Sequence, residues 1–438
     1  MAKKKKLLAW CDFNVPTGFG VVSKNLFENL HKTYDTSIIG INYHGDTKYD
    51  TSKYFVYSVS RDDMLGIKRL PKILQKEDPD ILFLFQDIFH ISDIIDRLKE
   101  TINPKTKIVV YFPVDGAPFS LAWGNVFDKA DAIITYSDWA IKTIKDRFPS
   151  ISVPIHKLYH GVNRDTFYPH NIKTILDLRK TFNWENKFTV ININRFQPRK
   201  AIPITMRAFS MFAKGYKVCK CGNHMPLSNQ TCDVNMCSID DIIDEVRRDR
   251  DDVFLYLHMM PQEPTMGPSR ANLLQNHLLN AGFVDADVNN IVGVNAKRIY
   301  EGEVSEASVN NIYNAANVNV SSSLGEGCGL SLLEAASTGT PSIAPKNSAI
   351  PEQLRGTGHL INNLGVMNQA MDNAHLRPIP DPWHMAELLE VEYTRWKKEA
   401  DGGKKIRRDC IENIENNFLW KDKRGLLEKV LQESLINE

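Results

Sequence analysis

The chain alternates short apolar runs with longer amphipathic segments, and this alternation restricts its possible folds more than any other feature. In the first part of the chain the apolar runs occupy residues 7–11, 37–43, 81–85, 107–112 and 132–136. Segments with helical spacing lie between them, at 20–32, 63–76 and 91–100. Strands that are apolar throughout are buried on both faces, as in a parallel sheet that helices cover on both sides. This part predicts a doubly wound α/β domain.

The same alternation then restarts. A second series of apolar runs occupies residues 188–194, 253–258, 290–294, 317–323 and 341–345. Helical spacing recurs between them, at 201–214, 306–315 and 330–338. A chain of 438 residues fits two domains of about 200 residues each. We therefore predict two Rossmann-like parallel-sheet domains in tandem, with no 20–50-residue repeat that would indicate a solenoid.

The expected boundaries follow from these two series. Residues 1–170 form the N-terminal domain and residues 171–405 the C-terminal domain. The remaining tail, 406–438, is expected to be a helix that packs back toward the N-terminal domain, with Trp420 as its anchor.

Charge and hydrophobicity exclude some classes of protein. The net charge is +1, so no global basic field points to nucleic acid, although a local basic groove stays open. No apolar run approaches the roughly 20 residues of a membrane span. The cluster Lys3–Lys6 precedes an apolar run too short for a signal peptide and is expected to be a solvated end. We expect a cytoplasmic globular protein.

A cysteine-rich segment interrupts the second series and is interpreted as an insertion at 217–250. It offers five candidate metal ligands: Cys219, Cys221, His224, Cys232 and Cys237. Four soft ligands are enough for a closed tetrahedral zinc site. A segment with so few large apolar residues needs such a cross-link to fold. Free thiols and disulfides remain alternatives, and the four cysteines could bind a metal without His224.

Candidate ligand-binding residues follow the strands of the first domain, where parallel sheets bind ligands. Gly18, Phe19 and Gly20 occupy a strand-to-helix turn that would let a ligand approach the backbone. Asp115, after the run 107–112, could accept hydrogen bonds from hydroxyl groups. Simple turns would explain both motifs as well. The run 81–85 is followed by three further candidates, Gln86, Asp87 and His90.

In the second domain, Arg195 and Lys200 flank a proline-containing turn before a helix. Two cations at a helix start oppose the helix dipole unless an anion joins them. A planar guanidinium and a compact ammonium suit a diphosphate. The alternative is a solvated surface loop.

The stretch SSSLGEGCGLSLLEAASTGTP at 321–341 places Glu326 in a glycine-rich loop and Glu334 within the apolar helix that follows. A carboxylate among apolar residues is costly to bury unless it is hydrogen-bonded or paired. Ionised carboxylates accept hydrogen bonds only, so they suit the hydroxyls of a sugar or a ribose. Backbone N–H groups of the loop can hold an anion or a hydroxyl.

Four motifs together resemble those of retaining, nucleotide-sugar-dependent glycosyltransferases of the GT-B fold, of the group 1, family 4 type. Glu326 and Glu334 match the E-x7-E motif, and Arg195 and Lys200 resemble the R-x4-K pair. TGFG at 17–20 resembles the N-terminal glycine loop, and HGVNRDTFYP at 160–169 resembles the interdomain segment. The resemblance spans nearly the whole chain. It implies two Rossmann-like domains facing a cleft, with the donor on the C-terminal domain and the acceptor on the N-terminal one.

The resemblance also implies residue roles. Arg195 and Lys200 would bind the diphosphate, and Glu334 would bind the ribose. Glu326 would hold the transferred sugar and phosphate with the backbone of Gly327, Cys328, Gly329 and Leu330. The glycine loop Gly18–Gly20 would also contact the donor. Asp115 stands where many members carry a histidine after the fourth strand, so it would take over that sugar contact. Catalysis would need no cofactor or metal, because cationic side chains neutralise the leaving diphosphate.

Donor and acceptor remain open at this point. The donor is expected to be of the UDP or GDP type, with base contacts from the loops after 258 and 294. The acceptor could be a saccharide, a lipid-linked sugar, a protein or a modified DNA base. A degenerate binding module that uses the cysteine segment for a partner is one alternative. A nucleotide-sugar epimerase or a sugar phosphorylase is another, although no pyridoxal-lysine motif for a phosphorylase is evident.

Overall fold

The computed structural model describes residues 3–46, 50–229, 231–232, 237–259, 273–295, 304–368, 372–399 and 407–436. Packing divides the chain into two compact units. Unit 1 comprises Met1–Gly161, Gln369–His375 and Phe418–Glu438, and unit 2 comprises Val162–Asn368 and Leu376–Asn417. The units therefore change at Gly161 and at Asn417, whereas the expected boundaries were 170 and 405. A further short segment, 369–375, lies with unit 1.

Unit 1 is built on a seven-stranded parallel sheet in the order β3-β2-β1-β4-β5-β6-β7. Its strands are β1 Lys6–Asp12, β2 Asp35–Ile41, β3 Phe55–Tyr57, β4 Ile81–Phe85, β5 Lys107–Tyr111, β6 Ala132–Thr135 and β7 Ile155–Lys157. The strand order reverses between β1 and β4, which is the point where sheets of this topology bind ligands. The loops after β1, β4 and β5 therefore hold the candidate residues of unit 1.

Helices cover both faces of this sheet, as buried apolar strands require. They are α1 Gly18–Leu26, α2 Leu30–Thr33, α3 Leu70–Glu77, α4 Ile88–Leu98, α5 Gly124–Lys129 and α6 Asp138–Arg147. Thr17 caps α1 by accepting a hydrogen bond from the Gly20 N–H. The largest apolar cluster of the unit joins strand residues such as Trp10 and Leu84 to helix residues such as Ile91.

Unit 2 contains a six-stranded parallel sheet in the order β13-β12-β8-β14-β15-β16. It also contains a small antiparallel sheet, β10-β9-β11, and a two-stranded antiparallel pair, β17-β18. The strands are β8 Phe188–Ile193, β9 Gly215–Cys219, β10 His224–Pro226, β11 Ile242–Arg247, β12 Val253–His258, β13 Val292–Asn295, β14 Val318–Val320, β15 Ser342–Pro345, β16 His359–Ile361, β17 Asn363–Asn368 and β18 Leu376–Pro380.

The helices of unit 2 are α7 Ile172–Thr181, α8 Ile202–Ala213, α9 Leu273–Asn280, α10 Glu306–Ala315, α11 Leu330–Ser337, α12 Ile350–Leu354, α13 Pro382–Glu399 and α14 Arg408–Asn417. Helix α8 is buried along most of its length and packs against the sheet and α13. This helix begins directly after the turn that carries Lys200, so its burial fixes where that turn lies.

The predicted fold class is confirmed: the chain forms two parallel-sheet α/β domains, and the cysteine segment lies in the second. The apolar runs 81–85 and 253–258 coincide with β4 and β12. The predicted helix 20–32 begins two residues earlier and divides into α1 and α2. The predicted strand 317–323 ends at Val320, and its three serines belong to the following loop.

The C-terminal tail contains two helices rather than one. Helix α14 lies in unit 2, whereas α15, Trp420–Ile436, lies in unit 1 and packs on α1. Trp420 is buried, and its backbone N would lie 2.6 Å from a Cβ added at Gly161. Arg424 Nε donates a hydrogen bond of 2.8 Å to the Asn25 carbonyl. Within the described residues, no helix combines the length and apolarity that crossing a bilayer requires.

Candidate active site

Two loops of unit 2 are held together at one edge of its sheet. Strands β8 and β14 are parallel neighbours, so the turn after β8 and the loop after β14 emerge side by side. Ser322 Oγ donates hydrogen bonds to the carbonyls of Lys200, at 3.0 Å, and Ala201, at 2.9 Å. The Leu324 N–H donates to the Arg199 carbonyl at 2.8 Å. The cationic turn and the glycine-rich loop are therefore fixed relative to each other.

Glu326 lies at the centre of this arrangement and is 6% exposed. Its carboxylate pairs with Lys200 Nζ and, at 3.3 Å, with Arg199 Nη1. Burial alone would raise the pKa of Glu326, but the charges of Lys200 and Arg199 outweigh it and lower the pKa to about 2. Glu326 is therefore ionised at neutral pH and held by two cations.

The second cation at Glu326 is Arg199, which the sequence analysis did not single out. Arg195, the predicted partner of Lys200, is exposed, and its role in binding a diphosphate stays a prediction. Arg199 also donates a hydrogen bond to the Gly325 carbonyl. The available signal was the pair of adjacent cations, Arg199 and Lys200, directly before helix α8.

Two backbone N–H groups of the glycine-rich loop already have acceptors within the protein. The Glu326 N–H donates to Ser348 Oγ at 2.8 Å, and the Gly329 N–H donates to Gln353 Oε1 at 3.0 Å. Gln353 Nε2 donates in turn to Cys328 Sγ at 3.1 Å. Gly327 is buried and Leu330 is half-buried at the start of α11. The loop is thus held rigidly by residues that come from a separate segment, 347–353.

Glu334 lies on the buried face of α11 and is 9% exposed. Tyr313 donates its hydroxyl proton to Glu334 Oε2 at 3.1 Å. Burial raises the pKa of Glu334 to about 7, a rise that the Tyr313 hydrogen bond opposes and the charge of Glu306 increases. Unlike Glu326, this carboxyl titrates near neutral pH. The predicted base-contacting loops after 258 and 294 lie almost wholly outside the described residues.

In unit 1, the glycine turn surrounds the start of α1. A Cβ added at Gly20 would lie 2.2 Å from the Val15 carbonyl oxygen, so the turn requires glycine there. A Cβ at Gly18 would meet no atom within 4 Å. Phe19 packs edge-on against Phe85, with ring centroids 5.1 Å apart.

Beneath this turn, Asp12 forms a buried hydrogen-bond centre that the sequence analysis missed. Its carboxylate accepts from Thr17 Oγ1 at 2.9 Å, Asn42 Nδ2 at 2.8 Å and Gln86 Nε2 at 2.8 Å. Burial raises the pKa of Asp12, while these three hydrogen bonds act to lower it. The acid thus ties together the ends of β1, β2 and β4. An acid at the end of an apolar strand was the available signal.

Asp115 lines a cavity of about 50 Å³ in unit 1, and Asp87 lines it as well. His375, which lies in the segment between β17 and β18, contributes a further titratable group to the lining. His90, the remaining candidate of this region, is half-buried, and burial lowers its pKa. Lys200, Glu326 and Glu334 belong to unit 2, whereas Asp115 and the glycine turn belong to unit 1.

The cysteine segment brings four sulfur atoms together. The Sγ atoms of Cys219, Cys221, Cys232 and Cys237 all lie within 4.8 Å of one another, so the cluster could hold a metal ion. The imidazole of His224 instead stacks on Trp383, with ring centroids 3.9 Å apart and an interplanar angle of 10°. The candidate ligand set is therefore four cysteines without His224.

Comparisons with known proteins agree with this architecture. Residues 269–374 match the sequence model of a family described as glycosyl transferases group 1. No curated protein matches the chain. The fold is similar to that of sucrose-phosphate synthase from Thermosynechococcus elongatus, with a TM-score of 0.66, 15% identity, and coverage of 98% of this chain and 99% of that one.

Two further solved structures show the same similarity. HepE from Anabaena, in complex with UDP and glucose, has a TM-score of 0.65 and 12% identity, covering 98% of this chain and 100% of that one. An α,α-trehalose-phosphate synthase from Burkholderia xenovorans has a TM-score of 0.63 and 13% identity, covering 98% and 99%. The chain therefore has the GT-B fold of these solved structures, and its residues 269–374 are similar to the glycosyl transferases group 1.

Proposed function

We propose that this protein is a retaining glycosyltransferase that moves a sugar from a nucleoside-diphosphate sugar to a hydroxyl acceptor. The observation that carries the proposal is the contact of buried Glu326 with the half-buried cations Lys200 and Arg199 at the carboxyl edge of β8 and β14. A buried acid beside two cations supplies acceptors for sugar hydroxyls and positive charge for a phosphate within one small site. The match to glycosyl transferases group 1 supports the same chemistry.

The cations have the chemical role of stabilising the leaving group. As the bond from the sugar to the diphosphate breaks, negative charge develops on the phosphate oxygens, and fixed cations lower the energy of that state. Lys200, with Arg195 or Arg199, would supply this charge without a metal ion. By resemblance, the leaving phosphate would then help deprotonate the acceptor on the same face of the sugar, which retains the anomeric configuration.

The acids would orient the donor. Glu326 would accept hydrogen bonds from hydroxyls of the transferred sugar, with the backbone of Gly327, Cys328, Gly329 and Leu330 beside it. Glu334 would accept hydrogen bonds from the ribose hydroxyls. In unit 1, Gly18–Gly20 and Asp115 would contact the donor and its sugar. HepE binds UDP and UDP-glucose, which makes a UDP sugar the first donor to test before a GDP sugar.

Calorimetric titration with UDP, UDP-glucose, GDP and GDP-mannose, followed by an assay of donor hydrolysis, tests this function. We expect one nucleotide family to bind and its sugar to be released slowly by water without added Mg²⁺ or Mn²⁺. Lys200→Ala should reduce turnover about 100-fold or more, as loss of one stabilising donor does elsewhere. Lys180→Ala, at an exposed position of α7, is the matched control.

The competing functions give different results in the same assay. Interconversion of the donor sugar without an acceptor would indicate an epimerase. Binding without turnover under any condition would indicate a degenerate module. Failure of every nucleotide to bind would refute the proposal.

We also propose that Cys219, Cys221, Cys232 and Cys237 hold one structural zinc ion. Tetrahedral zinc with Zn–S bonds of about 2.3 Å places its sulfur ligands about 3.8 Å apart, which fits a cluster within 4.8 Å. None of the seven cysteines, all of which lie in the described part of the chain, forms a disulfide.

Elemental analysis of protein purified without chelator tests the zinc site. We expect about one zinc per chain, lost in Cys232→Ser and kept in Cys410→Ser. Cys410 is a suitable control because it is buried in α14 and donates to the Thr357 carbonyl, a bond that serine can keep. A metal-free protein with full stability would refute the site.

A further inference from the structure

The cavity of unit 1 lies where its fold places ligands. Asp87 follows β4 and Asp115 follows β5, and these are adjacent parallel strands whose carboxyl ends share one edge of the sheet. His375 reaches the same cavity from a segment about 260 residues later in the chain. Three polar side chains from three segments therefore converge on one concave site.

The charge of this site is acidic. Among the described residues that line the cavity, Asp87 and Asp115 are carboxylates and none is lysine or arginine. A third carboxylate, Asp372, lies 3.6 Å from His375 Nδ1. Carboxylates accept hydrogen bonds from hydroxyl groups, whereas a phosphate would meet like charge. The lining therefore favours a neutral donor of hydrogen bonds over an anion.

The apolar part of the lining is aromatic. Trp123 and Phe119 pack edge-to-face, with ring centroids 4.8 Å apart, and both line the cavity. His375 packs against Trp123, and Phe89 lines the cavity while remaining 43% exposed. Aromatic rings offer large, rigid apolar surfaces against which the C–H faces of a sugar can pack. An acid-and-aromatic lining is thus suited to a carbohydrate.

The size of the cavity restricts what enters it. A cavity must offer about 10–15 Å³ to hold one water molecule, so a cavity of about 50 Å³ accommodates a few oxygen atoms. That is sufficient for the hydroxyl-bearing edge of one sugar ring whose remainder lies outside, against Phe89. A nucleotide or a whole base would not fit.

We propose that this cavity binds the acceptor of the transfer reaction and that the acceptor is an uncharged saccharide, with the carboxylates of Asp87 and Asp115 selecting against phosphorylated sugars and nucleic acid and His375 adding a hydrogen-bonding side chain. This proposal rests on the proposed glycosyltransferase function and names the substrate class of its unit 1 site. Asp87 and His375 become specificity residues, and Phe89 becomes the exposed packing surface for the sugar ring.

Saturation-transfer NMR tests the proposal with four neutral sugars and their 6-phosphates: glucose, galactose, mannose and N-acetylglucosamine. We expect at least one neutral sugar to bind, and its 6-phosphate to bind at least tenfold more weakly. Asp87→Asn should reduce that preference severalfold, since it removes one of the charges that repels phosphate. Equal or tighter binding of the phosphate, or no binding of any neutral sugar, would overturn the proposal.

A second pair of variants separates recognition from folding. Phe89→Ala should weaken sugar binding severalfold, whereas Phe55→Ala, at an exposed phenylalanine of β3 in the same unit, should not. If both variants bind as well as the wild type, Phe89 is not the packing surface and the proposal fails.

Donor binding is measured on the same samples, because the residues proposed to bind the diphosphate and the ribose lie in unit 2. If the protein hydrolyses its donor but binds the neutral sugars no more tightly than their 6-phosphates, only this inference is refuted. A protein that binds no nucleotide refutes the proposed function itself.

Discussion

Gly18 and Gly20 lie two residues apart in one turn, but only Gly20 is required by the fold. An alanine at position 20 would place its Cβ 2.2 Å from the Val15 carbonyl oxygen, so Gly20→Ala should destabilise the protein by about 1–3 kcal/mol. An alanine at position 18 meets no atom within 4 Å, and Gly18→Ala should be neutral or slightly stabilising. Urea unfolding measures both effects.

Gly18→Ala also tests whether a ligand approaches the backbone at Gly18. If the donor contacts this turn, Gly18→Ala should lower the affinity for donor at unchanged stability. A variant with wild-type donor affinity and turnover would remove Gly18 from the site.

Glu334 should make the stability of the ligand-free protein depend on pH. Its ordinary pKa of 4.5 is raised to about 7 by burial, so the folded protein resists ionisation that the unfolded chain permits. The resulting penalty grows as pH rises from about 4.5 to 7 and is complete above 7. Glu334→Gln removes it and should stabilise the protein by up to about 3 kcal/mol at pH 8, but hardly at pH 4.

Urea unfolding at the two pH values measures this difference, and Glu412→Gln, at an exposed position of α14, is the control. Glu334→Gln should also bind a nucleotide less tightly if Glu334 contacts the ribose. A stability difference independent of pH would show that the pKa of Glu334 is the same in the folded and the unfolded protein.

Individual site residues were predictable from the sequence where motif spacing brings them together. Lys200 and Glu326 were predicted as site residues from their motifs, but the ion pair that the structure shows between them was not predicted. Arg199, Ser348 and Gln353 were not predicted, because their contacts depend on how separate segments meet. The roles of Arg195 and Asp115 remain predictions.

At the scale of elements, the sequence predicted the two main sheets because their strands are apolar throughout and buried. It did not predict β9–β11 or the pair β17–β18. Strand β17 is exposed along its whole length, and β11 is mostly exposed and mixes apolar with charged residues. Such strands carry neither an apolar run nor a clear alternation, and their pairing depends on long-range contacts.

The ion pairs of Glu326 with Lys200 and Arg199, just beyond the ends of β14 and β8, also lead to a prediction about stability. Lys200→Met leaves the buried Glu326 carboxylate with Arg199 alone, which should cost about 3 kcal/mol of stability. Adding Glu326→Gln removes the buried charge and should recover most of that loss. Turnover should stay reduced about 100-fold or more in both variants, because the proposed donor site lacks the Lys200 cation.

Urea unfolding and a turnover assay separate the two effects, with Lys180→Met as the control. A double variant that regained turnover would show that Lys200 and Glu326 are a structural pair outside the active site.

At the scale of the whole molecule, the proposed functions divide between the two units. The residues proposed to bind the diphosphate and ribose belong to unit 2, and the proposed saccharide cavity belongs to unit 1. Similarity in fold extends over 98% of the chain at 12–15% identity. The fold is thus retained despite extensive sequence change, whereas the identity of the acceptor depends on this chain's own side chains.

The return of α15 to unit 1 gives a prediction about how stability is distributed. Trp420 is buried beside His160 and Gly161, and replacing a buried tryptophan by alanine typically costs about 3–5 kcal/mol. Because α15 packs within unit 1, Trp420→Ala should speed hydrogen exchange in β5 and β6 while β8 and β14 keep their protection. Trp383→Ala, which removes the ring beneath His224, should produce the converse pattern in β9 and β10. Mass spectrometry of exchanged peptides measures both patterns. Uniform loss of protection in either variant would show that the two units unfold together.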